Sequence, residues 1–106
     1  MATPQTNDDW RNASTAALMD AIVGLTNRDE AARFFRDLCT RHELDEMASR
    51  WEVVRRLAEG RSYRDIHDLT GVSTATITRI AQWLRHGTGG YIEALDRQGI
   101  HREDRT

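Results

Sequence analysis

The sequence predicts an all-α fold, and three observations carry that expectation. Apolar residues recur at i, i+3, i+4 and i+7 in successive segments, the spacing that lines one face of a helix. Residues able to cap a helix stand just ahead of these segments. No segment sustains period-two alternation, and neither Asn-Gly nor Asp-Gly occurs to make a tight hairpin.

Taken in order, residues 1–12 have no periodicity and read as a flexible N-terminal arm. Ser14 is the expected cap of a first helix whose apolar positions are Leu18, Ala21, Ile22 and Leu25. Thr26 and Asp29 have capping-box spacing before a second helix with Ala31, Phe34, Phe35 and Leu38 on one face. Thr40 and Glu43 repeat that spacing ahead of a long third helix, striped by Leu44, Met47, Ala48, Trp51, Val54 and Ala58. Glu46–Arg50 and Glu52–Arg56 are i,i+4 pairs in the favourable order, worth about 0.2–0.5 kcal/mol each. Gly60 is placed to end this helix. The helical domain is expected to span 13–98 in about six helices, and residues 99–106 to form a flexible tail.

Composition narrows the function classes. The chain has 106 residues, 39% of them hydrophobic, which suits one small domain with a modest core and makes self-association a natural expectation. A lone cysteine, Cys39, excludes an intrachain disulfide and a multi-cysteine zinc site, and it reads as a small buried hydrophobe. The four histidines (42, 67, 86 and 101) lack metal-ligand spacing, so no metal is expected. Cys39 and His42 lack the third group a nucleophile and base would need, and no other catalytic constellation stands out. Gly87-Thr88-Gly89-Gly90 lacks the lysine of a phosphate loop and reads as a helix stop and turn. The chain is therefore expected not to be an enzyme. No apolar run spans a bilayer, and the polar start with Asp8 and Asp9 does not resemble a secretory signal, so a cytoplasmic location is expected. All fifteen basic residues are arginine, and the net charge is −2. The charge is uneven: residues 50–86 hold seven arginines against four acids, whereas residues 1–49 hold five against nine. A mean near neutrality thus leaves room for a local basic face.

The stretch from Ser62 to Arg85 is the most informative. Ser62 and Asp65 start a short helix, Tyr63 to Leu69; Gly71 offers a left-handed turn position and Val72 an apolar anchor; Ser73 caps a second helix, Thr74 to Arg85. Ile66, Leu69, Val72, Ile77, Ala81 and Leu84 are expected to form the core between them, the pattern of a helix-turn-helix. With Ile77 facing inward, Ala75, Thr78, Arg79, Gln82 and Arg85 face outward at 100° per residue. Threonine, glutamine and arginine hydrogen-bond to base edges or phosphates, and alanine contacts a thymine methyl. Ser73, Thr74 and Ala75 lie at the end of the helix that enters a major groove in this motif. Arg61, Arg64 and His67 are placed to clamp the backbone. His67 departs from the general pattern, in which the position four before the turn glycine is small.

The segments FFRDLCT (34–40), EMASRWEVVRRLAEG (46–60), SYRDI (62–66), TGVSTATITR (70–79) and GTGGY (87–91) resemble the tryptophan repressor superfamily, in particular the TrpR-related proteins of the YerC/YecD type. The resemblance covers over half the chain, including a long side chain at the His67 position. It implies an intertwined all-helical homodimer with one helix-turn-helix per subunit in adjacent major grooves, and it puts Arg64, His67, Thr74, Ala75 and Thr78 at DNA contacts. It also implies a ligand pocket: Thr40, Arg50 and Arg79 match the threonine and two arginines that hold tryptophan in the repressor. Ile80 and Trp83 stand where the repressor has glycine and serine. Both add bulk that partly fills the pocket, so no cofactor is expected and free L-tryptophan is expected not to bind. Structural ion pairing, of Arg50 and Arg79 with Glu46 or Asp65 for instance, is the alternative role for the two arginines.

The function expected is a homodimeric, sequence-specific regulator of transcription, associated with the nucleoid, whose partners are double-stranded DNA and a second copy of itself. Repression is the expected sign, since so small a domain has little surface to spare for recruiting polymerase. The alternative is a protein-interaction or dimerisation module that keeps the helix-turn-helix as a scaffold.

Overall fold

The computed structural model describes residues 10–100. Residues 1–9 of the expected N-terminal arm and 101–106 of the expected tail, His101 among them, lie outside the described residues, while Ile100 of that tail packs against the core. Six helices and no strand occur among them: α1 (Ala13–Val23), α2 (Arg28–Leu38), α3 (Arg41–Ala58), α4 (Tyr63–Thr70), α5 (Thr74–His86) and α6 (Gly90–Arg97). The chain divides into two compact units between Thr40 and Arg41.

The first unit holds α1 and α2, and both start slightly off the expected register. Asn12, not Ser14, caps α1: its side chain accepts from the Thr15 backbone N–H at 2.9 Å, and the Thr15 hydroxyl accepts from the Asn12 N–H at 2.9 Å. At α2 the cap is Asn27, which accepts from Glu30 N–H at 2.9 Å. Glu30 reaches back to accept from the backbone and hydroxyl of Thr26 at 3.1 and 3.0 Å. The longer glutamate spans back beyond the cap, while Asp29 pairs with Arg33 at 3.0 Å. Leu18, Ile22, Leu25, Ala31, Phe34 and Phe35 are half-buried as their spacing predicts, but Ala21 and Leu38 are exposed. Phe34 and Phe35 meet edge to face with ring centroids 5.5 Å apart. Neither helix carries a fully buried residue.

The second unit has a complete core. Val53, Val54 and Ala58 of α3, Ile66 of α4, Ile77 and Ile80 of α5 and Leu95 of α6 are enclosed together. Each large aliphatic side chain withdrawn from water here contributes about 1.5–3 kcal/mol. The helix α5 packs against α3, α4 and α6, and α3 also packs against α4. Flanked on two sides, α3 buries a broad arc at its C-terminal half, so Val53 joins Val54 inside. Met47 and Ala48, expected on the same stripe, lie earlier in the helix and stay exposed. Leu69 is likewise a correction: it is 55% exposed, because α4 is only two turns long and presents Ile66 to the core. Trp51 packs against the core and tilts onto Tyr91, with centroids 6.3 Å apart.

Ion pairs on α3 also depart from expectation at one point. Glu52 binds Arg56 at 2.9 Å as expected and adds Arg55 at 2.7 Å. Glu46, however, pairs back with His42 at 3.1 Å, leaving Arg50 without a carboxylate partner among the described residues.

Candidate nucleic-acid interface

Serine and glycine fix the start and the bend of the helix-turn-helix. Ser62 accepts from Asp65 N–H at 3.1 Å to begin α4. Gly71 ends it at φ 78°, a conformation that costs a residue with a β-carbon about 1–2 kcal/mol. Ser73 opens α5 by accepting from Thr76 N–H at 3.2 Å. Both helices run one residue beyond the expected ends, to Thr70 and His86.

The three-residue turn is tied by side chains as well as backbone. The Gly71 N–H donates to the His67 carbonyl at 2.8 Å. The Thr70 hydroxyl donates to Ile66 O at 2.7 Å and accepts from Val72 N–H at 3.1 Å. His67 Nδ1 donates to the Val72 carbonyl at 2.8 Å. This last bond explains how a long side chain fits where a small one is usual: the exposed ring lies across the turn and staples it. Sequence reasoning placed His67 at the interface but missed the staple. The available signal was a donor-bearing ring one helical turn before a bend whose carbonyls lack helical partners.

The outward face of α5 carries the residues assigned to it. Ser73, Thr74, Ala75, Thr78, Arg79, Gln82 and Arg85 are exposed, while Ile77, Ile80 and Ala81 are buried on the opposite side. The backbone N–H groups of Thr74 and Ala75 have no acceptor among the described residues, so the helix start presents two free donors and its partial positive charge. The Thr78 hydroxyl donates to Thr74 O at 2.9 Å. Arg79 donates to the Thr76 hydroxyl at 3.3 Å rather than pairing with Asp65.

The cations sort into two groups. Arg55, Arg56 and Arg61 are held by Glu52 and Glu59, with Arg61 on Glu59 at 3.0 Å. The hydrogen bond from Arg61 holds the Glu59 carboxyl below its usual range, outweighing the opposing effect of burial, and Arg56 adds to the lowering. A phosphate would have to compete with Glu59 for Arg61. Arg50, Arg64, Arg79 and Arg85 have no carboxylate partner among the described residues.

The expected pocket residues are divided. Thr40 belongs to the first unit, and Arg50, Arg79, Ile80 and Trp83 to the second. Within the second unit Arg50 and Arg79 sit exposed on α3 and α5, two helices that pack together. Ile80 is wholly enclosed in the core, whereas Trp83 is 53% exposed. Of the two bulky residues, only Ile80 fills interior volume. Cys39 is half-buried. Among the described residues no three His, Cys, Asp or Glu side chains gather where a metal ion would fit, and no helix is long and apolar enough to cross a membrane.

Known proteins resemble this chain in sequence and fold. The family described as Trp repressor protein matches residues 13–99. YerC of Bacillus subtilis, a protein itself described as uncharacterized, is 43% identical over 90 residues, covering 85% of this chain and 86% of YerC. A crystal structure from Staphylococcus aureus, described as a candidate Trp repressor, superposes with a TM-score of 0.84 at 36% identity, covering 94% of this chain and 100% of that one. A TrpR-like protein from Eubacterium eligens gives a TM-score of 0.83 at 38% identity, covering 92% and 100%. With its match running from the start of α1 to beyond α6, the chain belongs to the Trp repressor family.

Proposed function

We propose that this protein is a sequence-specific, DNA-binding transcriptional repressor that acts as a homodimer, with α5 of each subunit in the major groove. The observation that carries the reading is the exposed set Thr74, Ala75, Thr78 and Gln82 around the uncapped donors at the start of α5. Small and hydroxyl-bearing residues let that helix end approach a groove edge closely. Arg64, one helix back and without a carboxylate partner among the described residues, is suited to a backbone phosphate. Family membership supports the same role. The half-buried faces of α1 and α2 support a second copy as partner, since two short amphipathic helices gain most by covering such faces. Nucleoid association follows from the DNA partner.

Free L-tryptophan is not proposed as effector. The enclosed Ile80 supports this, because a β-branched side chain already occupies interior volume beside Arg79 in sequence. Titration calorimetry showing stoichiometric, micromolar tryptophan binding would overturn it.

Genome-wide mapping of bound DNA, followed by footprinting of the strongest site, tests the main reading. The expected result is a two-fold symmetric footprint with half-sites about 34–36 Å apart. Affinity should fall with salt at a log–log slope of about −0.9 per phosphate contacted. Uniform coverage with no footprint would defeat the regulator reading. It would favour the interaction-module alternative, to which the exposed Leu69 and Trp83 lend support.

A further inference from the structure

The bond from His67 to the turn has a consequence for how the ring can meet an anion. A backbone carbonyl only accepts, so the 2.8 Å contact between Nδ1 and Val72 O places the ring proton on Nδ1. In the neutral ring of this exposed residue, Nε2 then carries a lone pair. Phosphate oxygens also only accept, and a lone pair facing them is repelled. The ring cannot answer by moving its proton to Nε2 without giving up the bond that ties α4 to the turn. We infer that His67 meets a DNA phosphate only as imidazolium, with Nδ1–H on Val72 O and Nε2–H on the phosphate, so that DNA binding takes up a proton from solvent at this residue. The inference rests on the DNA-binding reading above and adds to it a pH-dependent affinity.

The charged groups around His67 do not offer an alternative partner. On α4 these are Arg64, Asp65 and Asp68, and the turn residues 70–73 have none. On α5 they are Arg79, Arg85 and His86. On α3, Arg41 pairs with Asp45 and His42 with Glu46, with Glu43 and Arg50 alongside; Glu52, Arg55 and Arg56 are bound to one another, and Arg56 also to Glu59. Among the described residues, the His67 side chain hydrogen-bonds to Val72.

Two measurements on the full chain test this. Nitrogen NMR of the free protein should show the Nδ1–H tautomer for neutral His67; an Nε2–H tautomer overturns the inference. Fluorescence anisotropy with a labelled duplex of mixed sequence, at fixed ionic strength, should show affinity rising toward acid by up to about tenfold per pH unit for each His67 engaged. In His67→Asn the side-chain amide replaces the Nδ1 donor and does not titrate, so the turn is kept and this extra pH dependence is lost. His67→Gln, which places a neutral donor near Nε2, should also bind without it and serves if the asparagine variant fails to fold. The other histidines remain in every variant and cancel in the comparison. Equal pH slopes in wild type and variants defeat the inference while leaving DNA binding standing. No duplex binding at any pH defeats both.

Discussion

The two units of this chain solve the same problem unequally. In α3–α6, side chains from four helices close over one another until seven residues form a sealed cluster. In α1 and α2 the apolar spacing is just as regular, yet no side chain is fully buried. Val23 is 82% exposed and Met19 is 43% exposed. Periodicity tells which face of a helix is apolar, but burial depends on whether enough other helices surround it. The unit that encloses its own core is also the one that holds the helix-turn-helix, and the unit with spare apolar surface is the one to which the proposed second copy is assigned.

Substitutions can break or sharpen that contrast. The largest effect belongs to the sealed core: Ile77→Ala should cost about 2–5 kcal/mol, read by urea denaturation. An equal loss for Ile22→Ala would mean that α1 is as fully packed in solution as α5. Next, Phe34→Asp in the half-buried α2 face should shift the chain toward monomer in sedimentation velocity while leaving the α3–α6 core folded by hydrogen exchange. A variant that unfolds at every concentration would show instead that the face is internal.

Gly71→Val should lose about 1–2 kcal/mol through backbone strain alone, since a β-carbon there meets nothing within 4 Å. If melting temperature and DNA affinity were both unchanged, the helix-turn-helix assignment would be wrong. Removing a cap from each unit gives a smaller, matched pair: Ser73→Ala and Asn27→Ala should each cost about 1 kcal/mol, with only the former disturbing DNA binding.

The smallest effect is acid lability. Glu30 is held below its usual range chiefly by the Thr26 backbone N–H, then by its hydroxyl, and Glu59 chiefly by the Arg61 hydrogen bond. A carboxyl depressed in the folded state stabilises it above the unfolded pKa, near 4.3 for glutamate, and that stability is lost as pH falls through the folded value. Both groups are solvated, so Glu30→Gln and Glu59→Gln should each flatten the acid limb of the stability curve only slightly.

Much of this architecture was legible in the residues. The i, i+3, i+4 spacing located the helices, and Ser62, Gly71 and Ser73 located the motif because each has one strong backbone preference. Errors arose where several residues compete for one task. Asn12 and Ser14 both cap well, as do Thr26 and Asn27, and only the path of the preceding chain decides between them. Leu69 was misassigned and Val53 left off the stripe because the width of a buried arc depends on how many helices flank it, which spacing along one helix does not report. The exposed face of α5 was predicted correctly, since fixing Ile77 inward fixes the rest by rotation. The staple from His67 to Val72 and the Glu59 clamp on Arg61 were not foreseen, because both cross bends where helical geometry gives no guide.

The hydroxyl of Thr78 has already spent its hydrogen on the carbonyl of Thr74. What it shows to a groove is a pair of lone pairs and a methyl group. Adenine and cytosine offer amino hydrogens, and thymine offers a methyl, whereas the guanine edge offers only acceptors. If α5 enters a major groove as proposed, this bond disfavours guanine opposite Thr78, a bias set by the helix itself.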